Sequence, residues 1–497
     1  MQSMTNGFYK DVAKAVILLL AILLLCRVTM GGIAVVVVVV GLMAAVFKKP
    51  VVMAICFILF PLVAIFSRAV VGMSGITLII GKFSYVMMVV ASVLSWERNR
   101  FGEEKLPVLP IFIYLVVASL SSINGWMPLI SYLKILNFAV MVIGLYLLSS
   151  IMQKNVNSLM SLRAVFMAMA IIMILGSIIS YFIPSVGFSM MLYRMESYGM
   201  TITGEELMNS GTQVLFSGMT CHSQMLSPVV ACLATWVLCD MLLIERRVCL
   251  LHSIVLMCVP ILLYMSRSRG GLLMIVSVLI VTYFVTIPKS RLSTKIKRHL
   301  LLSVVAGAVV LIAAAVYFEV KNDAISRWIR KTDNVDSDTR SLQEAFTGSR
   351  QQSIEMNLYD FKLNPLLGKG FQVVQHMNEL YQENRATWYT AAVEKGVTPY
   401  VVLGETGLIG AFAFIVFLSV FYTTCVRRGY VALMTNFTCF LVANLADSTF
   451  FSPSGLGGFM WMVSCIGAFS TDCLTKRLQF ESMEFNRMNA FPVGRLH

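Results

Sequence analysis

The chain has 497 residues, of which 58% are hydrophobic and only 13% charged, with a mean hydropathy of +0.81. Soluble domains carry about 25% charged residues, so apolar surface on this scale has to face lipid, and a soluble enzyme is excluded. The formal net charge of +14 lies in short clusters between apolar runs, the pattern of orientation signals rather than of a nucleic-acid surface.

In chain order, residues 15–25 follow Lys10, Asp11 and Lys14 and have the length of a signal-peptide core. No small-x-small cleavage site follows, so they read as a retained first helix. Further apolar runs cover 31–47, 51–67, 74–95, 107–122, 129–149, 162–183, 216–243, 249–265, 272–287, 300–318, 400–425, 431–445 and 455–470. A bilayer core needs about 20 apolar residues per helix, and about 17–25 are tolerated. The expected fold is therefore an all-α polytopic membrane protein with fourteen spans, twelve being the next best count. The eleven cysteines fall almost wholly within these runs, with no zinc-type spacing, and read as small buried hydrophobes.

Basic residues orient the spans. With the amino terminus inside, the inner connections hold Lys10, Lys48, Lys49, Arg98, Arg100, Lys105, Lys154, Arg163, Arg246, Arg247, the 289–298 cluster, Arg427 and Arg428. The short outer connections hold only Arg27, Arg68, Arg194, Arg267 and Arg269. Both termini are then cytoplasmic, and the polar stretch 319–396 is one large, partly helical outer loop. The organisation expected is a multispan region 1–248, helices 249–318 carrying Ser266-Arg267-Ser268-Arg269-Gly270-Gly271, the loop 319–396, helices 397–475 and a tail 476–497.

Arg267 and Arg269 stand against the charge bias at the outer surface. Two readings are open: snorkelling to headgroups, or an anion site in which guanidinium and helix amides hold a phosphate. In the loop, Ser349 reads as a cap that puts Arg350 in the first turn of a helix carrying Ile354, Leu358 and Phe361. A cation there opposes the helix dipole unless an anion is present. Asn364-Pro365 ends that helix, Gly368 and Gly370 make a turn, and a second helix is expected over 378–395. Lys82 and Lys134 lie inside apolar runs and need a partner or a cavity. His222 is similarly open, and Asp336-Ser337-Asp338 reads as turn-forming rather than metal-binding.

Ser268-Arg269-Gly270, then Gly348-Ser349-Arg350, then Asn364-Pro365-Leu366-Leu367-Gly368-Lys369-Gly370-Phe371, then Gly404-Glu405-Thr406-Gly407-Leu408-Ile409-Gly410, resemble in their order the O-antigen ligase and polymerase family. The resemblance covers roughly residues 249–421. It implies a bacterial inner-membrane glycosyltransferase whose donor is a glycan on undecaprenyl pyrophosphate, with a lipid-linked glycan or lipid A core as acceptor. It further implies a chain-length regulator as partner, and neither a metal nor another cofactor. Arg269 and Arg350 match the family's pyrophosphate-holding arginines, with Arg267 as an extra. The family's His-Asn pair, about ten residues before the Glu-x-Gly element, is replaced here by Glu394-Lys395-Gly396. The catalytic base is then open between Glu394 and His376. Polymerase is the leading reading and ligase the alternative. A lipid-linked glycan flippase is the alternative of another class, disfavoured because the polar elaboration is one-sided rather than repeated.

Overall fold

A computed structural model of the chain describes residues 2–29, 33–66, 75–95, 104–123, 125–182, 216–220, 223–245, 249–266, 268–289, 294, 342–373, 396–453 and 455–490. Among these the architecture is helical, with no strand beyond an isolated bridge between Phe66 and Thr220. In order the helices are α1 (Gln2–Val28), α2 (Ile33–Val46), α3 (Pro50–Ile65), α4 (Gly75–Leu94), α5 (Ile111–Ile123) and α6 (Pro128–Met152). Then come α7 (Val156–Ala170), which continues through a π turn into α8 (Gly176–Phe182), α9 (Ser223–Asp240), α10 (Leu250–Ser266), α11 (Arg269–Val281) and α12 (Ile287–Lys289). The last are α13 (Leu342–Leu363), α14 (Thr398–Arg428), α15 (Val431–Ala443), α16 (Gly455–Met462) and α17 (Phe469–Ala490). Every expected span coincides with helix except 300–318, which lies outside the described residues. Among the described residues, five helical runs are long and apolar enough to cross a membrane, and shorter apolar helices accompany them. The chain is a multi-pass membrane protein. Its described cysteines are free thiols, most of them buried in the helix packing.

Two sets of connections separate to opposite ends of the helices. At one end Lys476 Nζ donates to Glu104 at 2.7 Å, the Tyr430 hydroxyl donates to the same carboxylate, and Arg428 lies 3.8 Å from it. Burial raises the Glu104 carboxyl, but the bonds from Lys476 and Tyr430 outweigh it and hold the group below its ordinary range. Arg477 donates to the Gln153 carbonyl at this same end. At the other end Gly125 meets the backbone of Lys369 and Gly370, Thr398 N donates to Asn444 O at 3.0 Å, and Arg350 pairs with Asp447. Helices α6, α14 and α15 each carry one set at one terminus and the other set at the opposite terminus. For the 25 residues of α6 that is about 37 Å at 1.5 Å per residue. The alternation of spans sorts these connections into the same two groups.

Arg163 departs from its expected place in a polar connection. Helix α7 starts earlier than the apolar run, because Asn155 caps it and accepts from Asn157 N at 2.9 Å. Arg163 is therefore inside the helix and 5% exposed. Its Nε and Nη2 donate to Asp240 at 2.7 and 2.9 Å, and Nη2 reaches Glu245 at 2.5 Å. Asp240 also contacts His252 Nε2 at 2.9 Å, and the Phe8 ring centroid lies 3.9 Å from the guanidinium carbon. One buried charge cluster thus ties α1, α7, α9 and α10. Its desolvation cost is offset only while both signs are present. Asp240→Ala should therefore cost about 3–5 kcal/mol and lower the unfolding temperature of the detergent-solubilised protein; an unchanged temperature would show that the cluster does not hold these helices.

Candidate active site

The site end is built around a break in α14. Gly407 has φ +63° and ψ −163° within an otherwise continuous helix, which interrupts the ladder and frees backbone groups on both sides. The stretch 365–370 takes them up. Leu408 N and Ile409 N donate to Pro365 O and Leu366 O at 2.8 and 3.3 Å, while Lys369 N and Gly370 N donate to Gly404 O and Glu405 O at 3.0 and 3.1 Å. Helix α13 stops at Leu363 as expected, since Pro365 cannot continue it. The two backbones touch so closely that a Cβ on Gly407 would lie 2.3 Å from Leu366 O, and one on Gly368 (φ +72°) 2.3 Å from the Glu405 carbonyl carbon. The Asn-Pro and Gly-Glu-Thr-Gly motifs are therefore one structural unit, each supplying what the other lacks.

Helices α5 and α6 hold that unit from behind. Ser121 Oγ donates to Glu405 O at 2.5 Å, Phe371 N to Ser122 Oγ at 3.3 Å, and Ser131 Oγ to Phe371 O at 2.9 Å. Lys134, 2% exposed, donates to Gln372 O at 2.8 Å, which is the partner its place in an apolar run required. The Phe371 ring is fully buried beside Tyr114 and Phe451, with centroids 6.3 and 5.4 Å away. A fully buried phenylalanine is worth roughly 1.5–3 kcal/mol, so the ring is the anchor of the loop.

Arg269 opens α11 as expected, with Ser268 as N-cap accepting from Gly271 N at 3.4 Å. The helix start lies against the turn after α15, where a Cβ on Gly270 would come 2.9 Å from Ala446 Cβ. Arg350 is not where the capping pattern put it. Helix α13 is already formed at Leu342, so Arg350 lies in its interior and the opposition to the helix dipole does not apply. Gln343, Glu344 and Ala345 are good helix formers and carry the helix past Ser349. Helix α13 packs along α14, and Arg350 reaches Asp447, with which it forms an ion pair. The turn that bears Asp447 is pinned by Asn444, whose Oδ1 accepts from Thr449 N at 2.8 Å and from Thr398 Oγ1 at 3.2 Å.

The elements carrying Arg269 and Arg350 thus converge on one turn, the first at Ala446 and the second at Asp447. Arg267, His376, Glu394, Asp336–Asp338, His222 and the expected helix 378–395 lie outside the described residues, as does the Lys82 side chain. Asp447 is not among the residues that the sequence singles out, because only the basic residues of the connections bear on orientation. The usable signal was an acid directly after an apolar span.

This arrangement defines a multi-pass membrane protein with a cationic, acid-paired centre where a broken helix meets a docked loop. Residues 252–415 match the family model of the O-antigen ligases, which supports the resemblance to the O-antigen ligase and polymerase family. No curated protein matches the chain.

Gly407→Ala would place a side chain on left-handed backbone and into Leu366, at about 1–3 kcal/mol for the strain alone. It should lower the unfolding temperature and release the 365–373 loop to protease; a protease pattern like that of the wild type would show the two backbones are not in contact.

Proposed function

We propose that the protein is a membrane glycosyltransferase that polymerises undecaprenyl-pyrophosphate-linked repeat units into O-antigen or exopolysaccharide on the periplasmic face of the bacterial inner membrane. The observation that carries this is the convergence of the Arg269 and Arg350 elements on the turn at 446–447, at the end of the bundle opposite the basic connections. In this reading the chain has fourteen spans and cytoplasmic termini, with 319–396 in the periplasm.

The chemistry asks little beyond charge and orientation. The acceptor hydroxyl oxygen bonds to the donor's anomeric carbon, the bond from that carbon to pyrophosphate breaks, and its electron pair leaves on the phosphate. Arg269 and Arg350 hold the pyrophosphate and neutralise the charge that develops on it, with Arg267, two residues earlier in the sequence, as an extra cation. The hydroxyl proton passes to a base, for which Glu394 and His376 are the carboxylate and imidazole of the loop. No nucleotide sugar or metal enters this scheme. The match to the O-antigen ligases favours a second reading, transfer of the finished glycan to lipid A core.

Purified protein in lipid, supplied with undecaprenyl-pyrophosphate repeat units alone, should make longer lipid-linked chains. Arg269→Ala and Arg350→Ala should each lower that rate by at least about 100-fold, the scale for one electrostatic group in a transition state, while the proteins still insert. Product that appears only after lipid A core is added would make it a ligase, and full activity in both arginine variants would refute the proposed site.

A further inference from the structure

Arg350 already carries an anion. Its guanidinium is paired with Asp447, and the two side chains are 21% and 20% exposed. Asp447 sits on a turn that is held from several sides: its own N–H donates to Ala443 O at 3.1 Å, and Asn444 is bonded to both Thr398 and Thr449. One residue before it, Ala446 packs on the glycine that follows Arg269. A carboxylate is therefore fixed at the place where both arginine-bearing elements meet.

Resting on the pyrophosphate reading above, we propose that Asp447 is a positioning residue that stands in for the donor's pyrophosphate on Arg350 and yields Arg350 to it when the donor binds. A carboxylate and a pyrophosphate on one guanidinium repel each other, and more strongly at a membrane surface than in water. Pyrophosphate brings more charge and more acceptor oxygens than a carboxylate, so the exchange favours it. Asp447, a fifth exposed, can turn to solvent as it leaves. In the donor-free protein the same pair keeps the Arg350 charge compensated and its side chain oriented. The cost is affinity: every donor has to displace Asp447 first, so this residue sets how tightly the site binds.

The test is binding of undecaprenyl pyrophosphate to the purified full chain in lipid nanodiscs, for wild type, Asp447→Asn, Asp447→Glu and Arg350→Ala. Asp447→Asn should bind about two- to fivefold more tightly than wild type, the factor for releasing a part-exposed ion pair. Asp447→Glu keeps the charge and should fall short of that gain, and Arg350→Ala should lose binding. Damage to the fold weakens binding, so a gain is a readout that a merely structural role of Asp447 does not produce. Unchanged or weaker binding in Asp447→Asn, with Arg350→Ala still defective, overturns the stand-in and leaves the pyrophosphate site standing. If wild type does not bind, or Arg350→Ala binds as wild type does, the pyrophosphate reading falls and takes this inference with it. Should the Asn variant aggregate, Asp447→Ser carries the same comparison.

Discussion

Where a helix breaks inside a membrane protein, the freed amides and carbonyls have no water to turn to, and each one left unmet costs several kcal/mol by general estimate. The break at Gly407 meets this constraint by borrowing a second backbone. Two amides of α14 bond to the carbonyls of Pro365 and Leu366, and two of its carbonyls accept from Lys369 and Gly370. Neither segment has that conformation without the other. Much else at this end goes with that exchange: the entry of Phe371 into the aromatic core and the packing of α13, with Arg350, alongside α14.

Charge is distributed with the same economy. At the end rich in lysine and arginine, the cations are met by Glu104 and by backbone carbonyls such as that of Gln153. Within the bundle, Arg163 is enclosed by Asp240 and Glu245. At the opposite end, Arg350 pairs with Asp447 and stays partly open. An ion pair with both members a fifth exposed can exchange partners, whereas the Arg163 cluster, closed on every side, cannot do so without unpacking four helices. The two arginines therefore differ in kind, one closed into the helix packing and the other left at a partly open surface.

The spans were legible because lipid imposes a length and a polarity that a single sequence displays directly, and the basic clusters sorted their ends. Gly368 and Gly370 as a turn and Pro365 as a stop were legible for local reasons, since each acts on its own backbone. Arg163 was not, because its identity as a buried ion-pair member depends on Asp240, seventy-seven residues later in the chain. The start of α13 was missed because a serine before an arginine resembles a cap whether or not the residues ahead of it are already helical. Asp447 was missed for a third reason. Attention to positive charge passes over the acid that complements it, and only the packing of α13 along α14 brings the two together.

The match to the ligase family ends at residue 415 and begins at 252, yet the paired loop and broken helix at its centre lean on Ser121, Ser122, Ser131 and Lys134. The separation between Phe371 and Ser122 is 249 residues. During synthesis the receiving surface is threaded into the membrane long before the loop exists, and it has to stay vacant until the later helices arrive. The recognisable domain is for this reason not a module that can be cut out and moved. Its evolution is bound to a run of serines and one lysine in helices that carry no motif of their own, and drift at those four positions would be felt in the motif rather than where it occurred.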